Sequence, residues 1–85
     1  MEYIITFKST NFAIKAEKCL LEDKIFAGVL PLPPQISAGC GICLRVKEEE
    51  LPRALTVLTN NGIEGIGLYK KEEIKGRAAH TLIEK

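Results

Sequence analysis

Apolar and polar residues change their spacing along this chain in a way that marks out six elements. Tyr3, Ile5 and Phe7 alternate with Thr6 and Lys8, the period-two pattern of a half-buried strand. Ser9, Thr10 and Asn11 follow as three successive N-cap candidates. Phe12/Ala13, Ala16 and Cys19/Leu20 then recur at helical spacing, with Lys15, Glu17, Lys18 and Glu22 facing outward. This first helix is expected to end around residues 22–24. Residues 25–32 are nearly all apolar and predict a second strand. Pro31, Pro33 and Pro34 end it and suit an edge position, because proline cannot donate to a ladder. After a loop over residues 35–39, Ile42, Leu44 and Val46 alternate with Cys43, Arg45 and Lys47 as a third strand.

Glu48, Glu49 and Glu50 open a second helix, where carboxylates meet the positive end of the dipole, and Pro52 is tolerated in the first turn. Leu51, Ala54, Leu55 and Leu58 form its buried stripe, and Asn60-Asn61-Gly62 supplies a C-cap. Residues 63–69 predict a fourth strand loosened by Gly65 and Gly67. The chain thus divides into one domain over residues 1–70 and a polar tail over 71–85, frayed or forming a short helix. The order β-α-β-β-α-β predicts an α+β ferredoxin-like fold: a four-stranded antiparallel sheet, order 4-1-3-2, with both helices on one face. Residues 25–32 leave both parities needing cover, so the open face should be partly occluded, by a homodimer or by the folded-back tail.

Composition narrows the function. Eighty-five residues make one domain, and the 46% hydrophobic content, with no Trp, gives an aliphatic core. Net charge is +1, and residues 70–85 carry five Lys/Arg against three Glu, leaving the remainder at −1. A near-neutral body lacks the basic footprint of nucleic-acid binding. No run approaches a membrane span and no signal peptide is visible. Three cysteines fit no secreted disulfide framework, so a cytoplasmic location with reduced thiols is expected.

The chemistry concentrates in Ser37-Ala38-Gly39-Cys40-Gly41. In the expected fold this loop shares an end of the sheet with the start of helix 1 near Ser9 and Thr10. Free N–H groups there favour a thiolate, and the C-terminus of helix 2 opposes them. Gly39 and Gly41 leave room for a bulky partner and permit positive φ. Ser37 is read as a turn residue, since no base is placed to activate it. The bland alternative is a hairpin turn that happens to hold a cysteine.

Cys40 and Cys43 also have C-x-x-C spacing. Extended, their α-carbons would lie about 10 Å apart, too far for a disulfide without a turn at Gly41. Zinc would need four ligands, which only a dimer sharing two motifs would complete, so no metal and no cofactor is expected. Cys19 reads as core, and His80 has no evident partner.

Tyr3-Ile4-Ile5-Thr6-Phe7, the run at 13–18, the proline-rich edge and the Cys40-Gly41 pair together resemble the selenium/sulfur (Se/S) carrier protein-like family of small bacterial domains, over roughly residues 2–70. The resemblance implies a carrier whose cysteine, here Cys40, holds sulfane sulfur or selenium as a persulfide or perselenide. It implies donor and acceptor proteins as partners, and no catalytic base within the chain. Cys43 is not part of that pattern and stands as a second thiol of open role, and helix 1 ends without the usual glycine. Two other readings stay open beside the carrier: a small regulatory or interaction module, and a Cys40/Cys43 dithiol redox protein.

Overall fold

The computed structural model describes residues 2–33, 36, 41–74 and 76–84. The elements are β1 (Glu2–Thr6), α1 (Thr10–Glu22), β2 (Gly28–Pro31), β3 (Ile42–Lys47), a 3₁₀ turn (Glu48–Glu50), α2 (Leu51–Asn60), β4 (Gly67–Ile74) and β5 (Arg77–Glu84). The sheet is antiparallel throughout, in the order β2-β3-β1-β4-β5. Its first four strands have the ferredoxin-like order expected from the sequence, with β2 at an edge.

Three expectations are corrected. Residues 71–85 were expected as a frayed tail or short helix. Instead β4 runs on to Ile74 and β5 returns beside it, with Ile74 opposite Arg77 across the two-residue loop at 75–76. Gly76 turns that loop at φ +78°, the glycine placement a tight hairpin needs. The fourth strand begins at Gly67, not at 63, because Ile63 belongs to the exit of α2 and Gly65 has a left-handed φ of +68°. The second strand is shorter than 25–32 for the same reason: Ile25 belongs to the exit of α1.

Both helices in fact leave by one device. Ile25 N–H donates to Leu20 O and Lys24 N–H to Leu21 O; Ile63 N–H donates to Leu58 O and Gly62 N–H to Thr59 O. Each pair is a Schellman motif, and its apolar partners Leu20/Ile25 and Leu58/Ile63 enter the core together. The residue that must turn left-handed is Gly62 in one exit (φ +73°) but Lys24 in the other (φ +61°). At the opposite end of α1, Ser9 is the N-cap, its Oγ accepting from Phe12 N at 3.3 Å.

The main core lies between sheet and helices. Ile5, Phe7, Leu44, Val46 and Leu68 face Ala13, Ala16, Leu20, Ala54 and Leu58. The small residues on both helices let them sit close to the sheet. A second, smaller core occupies the opposite face: Ile4, Cys43 and Ile36 are buried together, with Leu30, Leu32 and Tyr69 packed around them. Ile36 comes from the β2–β3 connection, so that connection folds back across the open face. The expected occlusion is present, and among the described residues its cover includes this loop residue.

Two stability predictions follow from these details. Lys24→Gly should stabilise the protein by about 1 kcal/mol, since a non-glycine residue in the left-handed region carries a cost of that order, whereas Gly62→Ala should destabilise it; urea unfolding measures both. Ile36→Ala should cost about 2 kcal/mol or more. Ile83→Ala, at a half-exposed position on β5, should cost well under that in the same assay.

Candidate functional site

Strand register gathers several connections at one end of the sheet. Thr6, the last residue of β1, stands opposite Cys43 on one side and Gly67 on the other, while Pro31 pairs with Ile42. The end of β2, the start of β3, the N-terminus of α1 and the 61–66 exit of α2 therefore meet there. Both helix termini weighed from the sequence do share this end.

Cys40, Ser37 and Gly39 lie outside the described residues, as do Ala38 and Gln35. What is described is the frame on either side of them. Leu32 N–H donates to Gly41 O at 2.9 Å, continuing the β2–β3 ladder one pair past Pro31 and Ile42. Inside the loop, Ile36 N–H donates to Pro33 O at 3.0 Å, a turn that delivers the Ile36 side chain into the second core. The connection is thus closed at its base and anchored near its middle.

Gly41 is exposed, and a β-carbon built on it would meet nothing within 4 Å. Its φ is not in the left-handed region, so the positive φ considered from the sequence is not used here. What Gly41 supplies is open space at its own position. Ser9 is committed to its cap, and Thr10, at the first position of α1, is exposed. At the same end, the Lys8 side chain lies across Gly65, where a side chain at 65 would collide with its methylenes. Thr6 is buried, its hydroxyl donating to Gly67 O at 3.4 Å, and a side chain at 67 would collide with that hydroxyl. Neither Lys8 nor Ile36 was singled out from the sequence. Lys8 reads only as the last outward residue of the alternating run, and Ile36 is a lone apolar residue in a polar loop, a pattern with no periodicity to reveal a partner.

The remaining cysteines are placed differently from each other. Cys43 is fully buried on the open-face side of β3, its Sγ 3.8 Å from Pro31 O. Cys19, expected in the core, is only half-buried. It lines a shallow depression between α1 and α2 with Glu22, Asp23, Val57, Asn60 and Asn61. Leu20, one residue on, takes the core position instead. His80 stands in β5 opposite Lys71. Among the described residues no group of three His, Cys, Asp or Glu side chains could hold a metal ion, and no helix is long and apolar enough to cross a membrane.

A cavity of about 520 Å³ opens beside the α2 exit, lined by Leu55, Thr59, Ile63, Glu64, Ile66 and Leu68 among others. It adjoins the same end of the sheet and is mostly apolar.

Compared with known proteins, residues 2–70 match the model of a family described as "Putative Se/S carrier protein-like". No curated protein matches the chain, and neither does any solved structure.

Proposed function

The chain belongs to the Se/S carrier protein-like family, and from that premise we propose that it carries one sulfur or selenium atom on Cys40 between a donor and an acceptor protein. The observation that carries this reading is the family match itself, which spans the Cys40–Gly41 segment and the whole frame around it. Two structural facts support it. Gly41, which follows position 40 in sequence, has open space where a β-carbon would stand, and the β2–β3 connection carries two described ties, the burial of Ile36 and the Leu32–Gly41 hydrogen bond.

The chemistry asks little of the carrier. The Cys40 thiolate attacks the outer sulfur of a persulfide on the donor. A new S–S bond forms on Cys40 as the donor's S–S bond breaks, and the donor leaves as its thiolate. Delivery repeats the exchange, with the acceptor's thiolate as attacking group. No net oxidation occurs in either step, and the proton on the outer sulfur travels with it. For selenium the perselenide takes the place of the persulfide. Accepting the cargo requires Cys40 to be a free reduced thiol, which fits a cytoplasmic carrier.

The burial of Cys43 supports transfer by Cys40 alone, because a thiol enclosed by Ile4 and Ile36 is out of reach of a partner's reactive sulfur. Ser37, Gly39, Gly41, Ser9 and Thr10 then serve as the frame of the thiol loop.

The test is intact-mass measurement after incubation with a cysteine desulfurase and cysteine. The native protein and Cys43→Ala should each gain the mass of one sulfur atom, removable by a dithiol reductant, while Cys40→Ala should gain none. Sulfur uptake undiminished in Cys40→Ala would remove the basis of the proposal. In the same samples, brief alkylation of the folded protein should label Cys19 faster than Cys43, as their exposures require.

A further inference from the structure

Four of the five exposed large apolar side chains among the described residues belong to α1, β2 or the link between them: Ile14 (58% exposed), Leu21 (57%), Phe26 (75%) and Val29 (46%). Ile14 and Leu21 are seven residues apart and share a flank of α1. Cys19 marks the flank that faces α2, where it meets Val57 and Asn60. α2 in turn lies towards β4, since its Leu55 and Thr59 line a cavity with Leu68. The Ile14/Leu21 flank therefore faces the other way, above the free edge of β2. Val29, opposite Leu44, projects on that same helical side of the sheet.

The backbone of the edge is equally constrained. In an antiparallel ladder, residues whose N–H and C=O groups face the neighbour alternate with residues whose groups face away. Leu32 N–H donates inward to Gly41 O. By that parity Leu30 also bonds inward, and Val29 and Pro31 present their groups to the free edge. Pro31 has no N–H, so within β2 the outward donor is that of Val29.

We propose that this edge and flank form a two-fold interface with a second copy of the chain, β2 pairing antiparallel with β2 about an axis at Val29. A two-fold contact must be self-complementary, and this surface is. Each Val29 N–H donates to the Val29 carbonyl of the second copy, and each Ala27 N–H to the other copy's Pro31 carbonyl, which keeps a second lone pair beside its 3.8 Å contact with Cys43 Sγ. The proline thus stands where an acceptor suffices, and it discourages a longer or shifted pairing. On α1 the midpoint between Ile14 and Leu21 falls between Glu17 and Lys18, both exposed. An axis through that midpoint sets Ile14 against Leu21 of the second copy, and Glu17 against Lys18. The apolar pairs and the opposite charges match in one operation.

Sedimentation of the full chain over a concentration series tests this independently of any sulfur chemistry. A monomer–dimer equilibrium is expected. Glu17→Lys and Lys18→Glu should each weaken it by about fivefold, since each substitution sets two pairs of like charges in contact. The double swap should restore it. Leu21→Glu should give a monomer with unchanged circular dichroism, because the side chain is already mostly outside the fold. A chain that stays monomeric at high micromolar concentration overturns the proposal, as does a dimer indifferent to the charge swaps. A monomer whose β2 edge gains protection from hydrogen exchange only when a cysteine desulfurase is added overturns it in favour of a heterologous partner.

Discussion

A sheet with helices on one face only has a second face to hide, and β1 makes the need acute. It is the middle strand, paired with β3 and β4, and its adjacent residues Ile4 and Ile5 point to opposite faces, both fully buried. Ile5 finds the helices. Ile4 depends on Cys43 beside it and on Ile36 brought in from the β2–β3 connection. The placement of Ile36 is therefore tied to the hydrophobic effect, at roughly 1.5–3 kcal/mol for each large side chain withdrawn from water. Ile36 is drawn onto the open face because the strand beneath it is apolar on both sides.

The same packing gives the second cysteine of the C-x-x-C spacing a place in the smaller core. In β3, odd-numbered Cys43 faces the open side, where it fills the second core, while Leu44 and Val46 face the helices. Its burial gives Cys43 a structural duty that accounts for an apolar, compact side chain at that position.

Much of the architecture was legible from periodicity: β1, α1, β3 and α2 show clean patterns, and the prolines identify β2 as an edge. The misses share a cause. Ile25 and Ile63 are apolar residues next to strands, and the pattern counts them into those strands, whereas each is the last partner in a helix exit. In the first exit the left-handed residue is Lys24, so the usual glycine signal is missing. β5 was missed because the run from Lys70 to Arg77 is dominated by charged residues, which hide a local hairpin whose turn is marked only by the glycine at 76. At the site, the cysteine and its glycines were visible. The anchoring by Ile36 was not, because a contact across a sheet face leaves no mark in local spacing.

The Leu32–Gly41 hydrogen bond has a consequence for how such a protein must meet others. It extends the ladder to Gly41, the residue that follows position 40 in sequence. Carriers with a long flexible arm can stay docked and swing their cargo between distant sites. A cargo carried next to a ladder residue would not travel in that way. Donor and acceptor would each have to bring a reactive sulfur to the same end of this sheet, and two proteins cannot occupy that end together. On the proposed function, loading and delivery would then be separate encounters, and the loaded carrier would have to let go of its donor before an acceptor could approach.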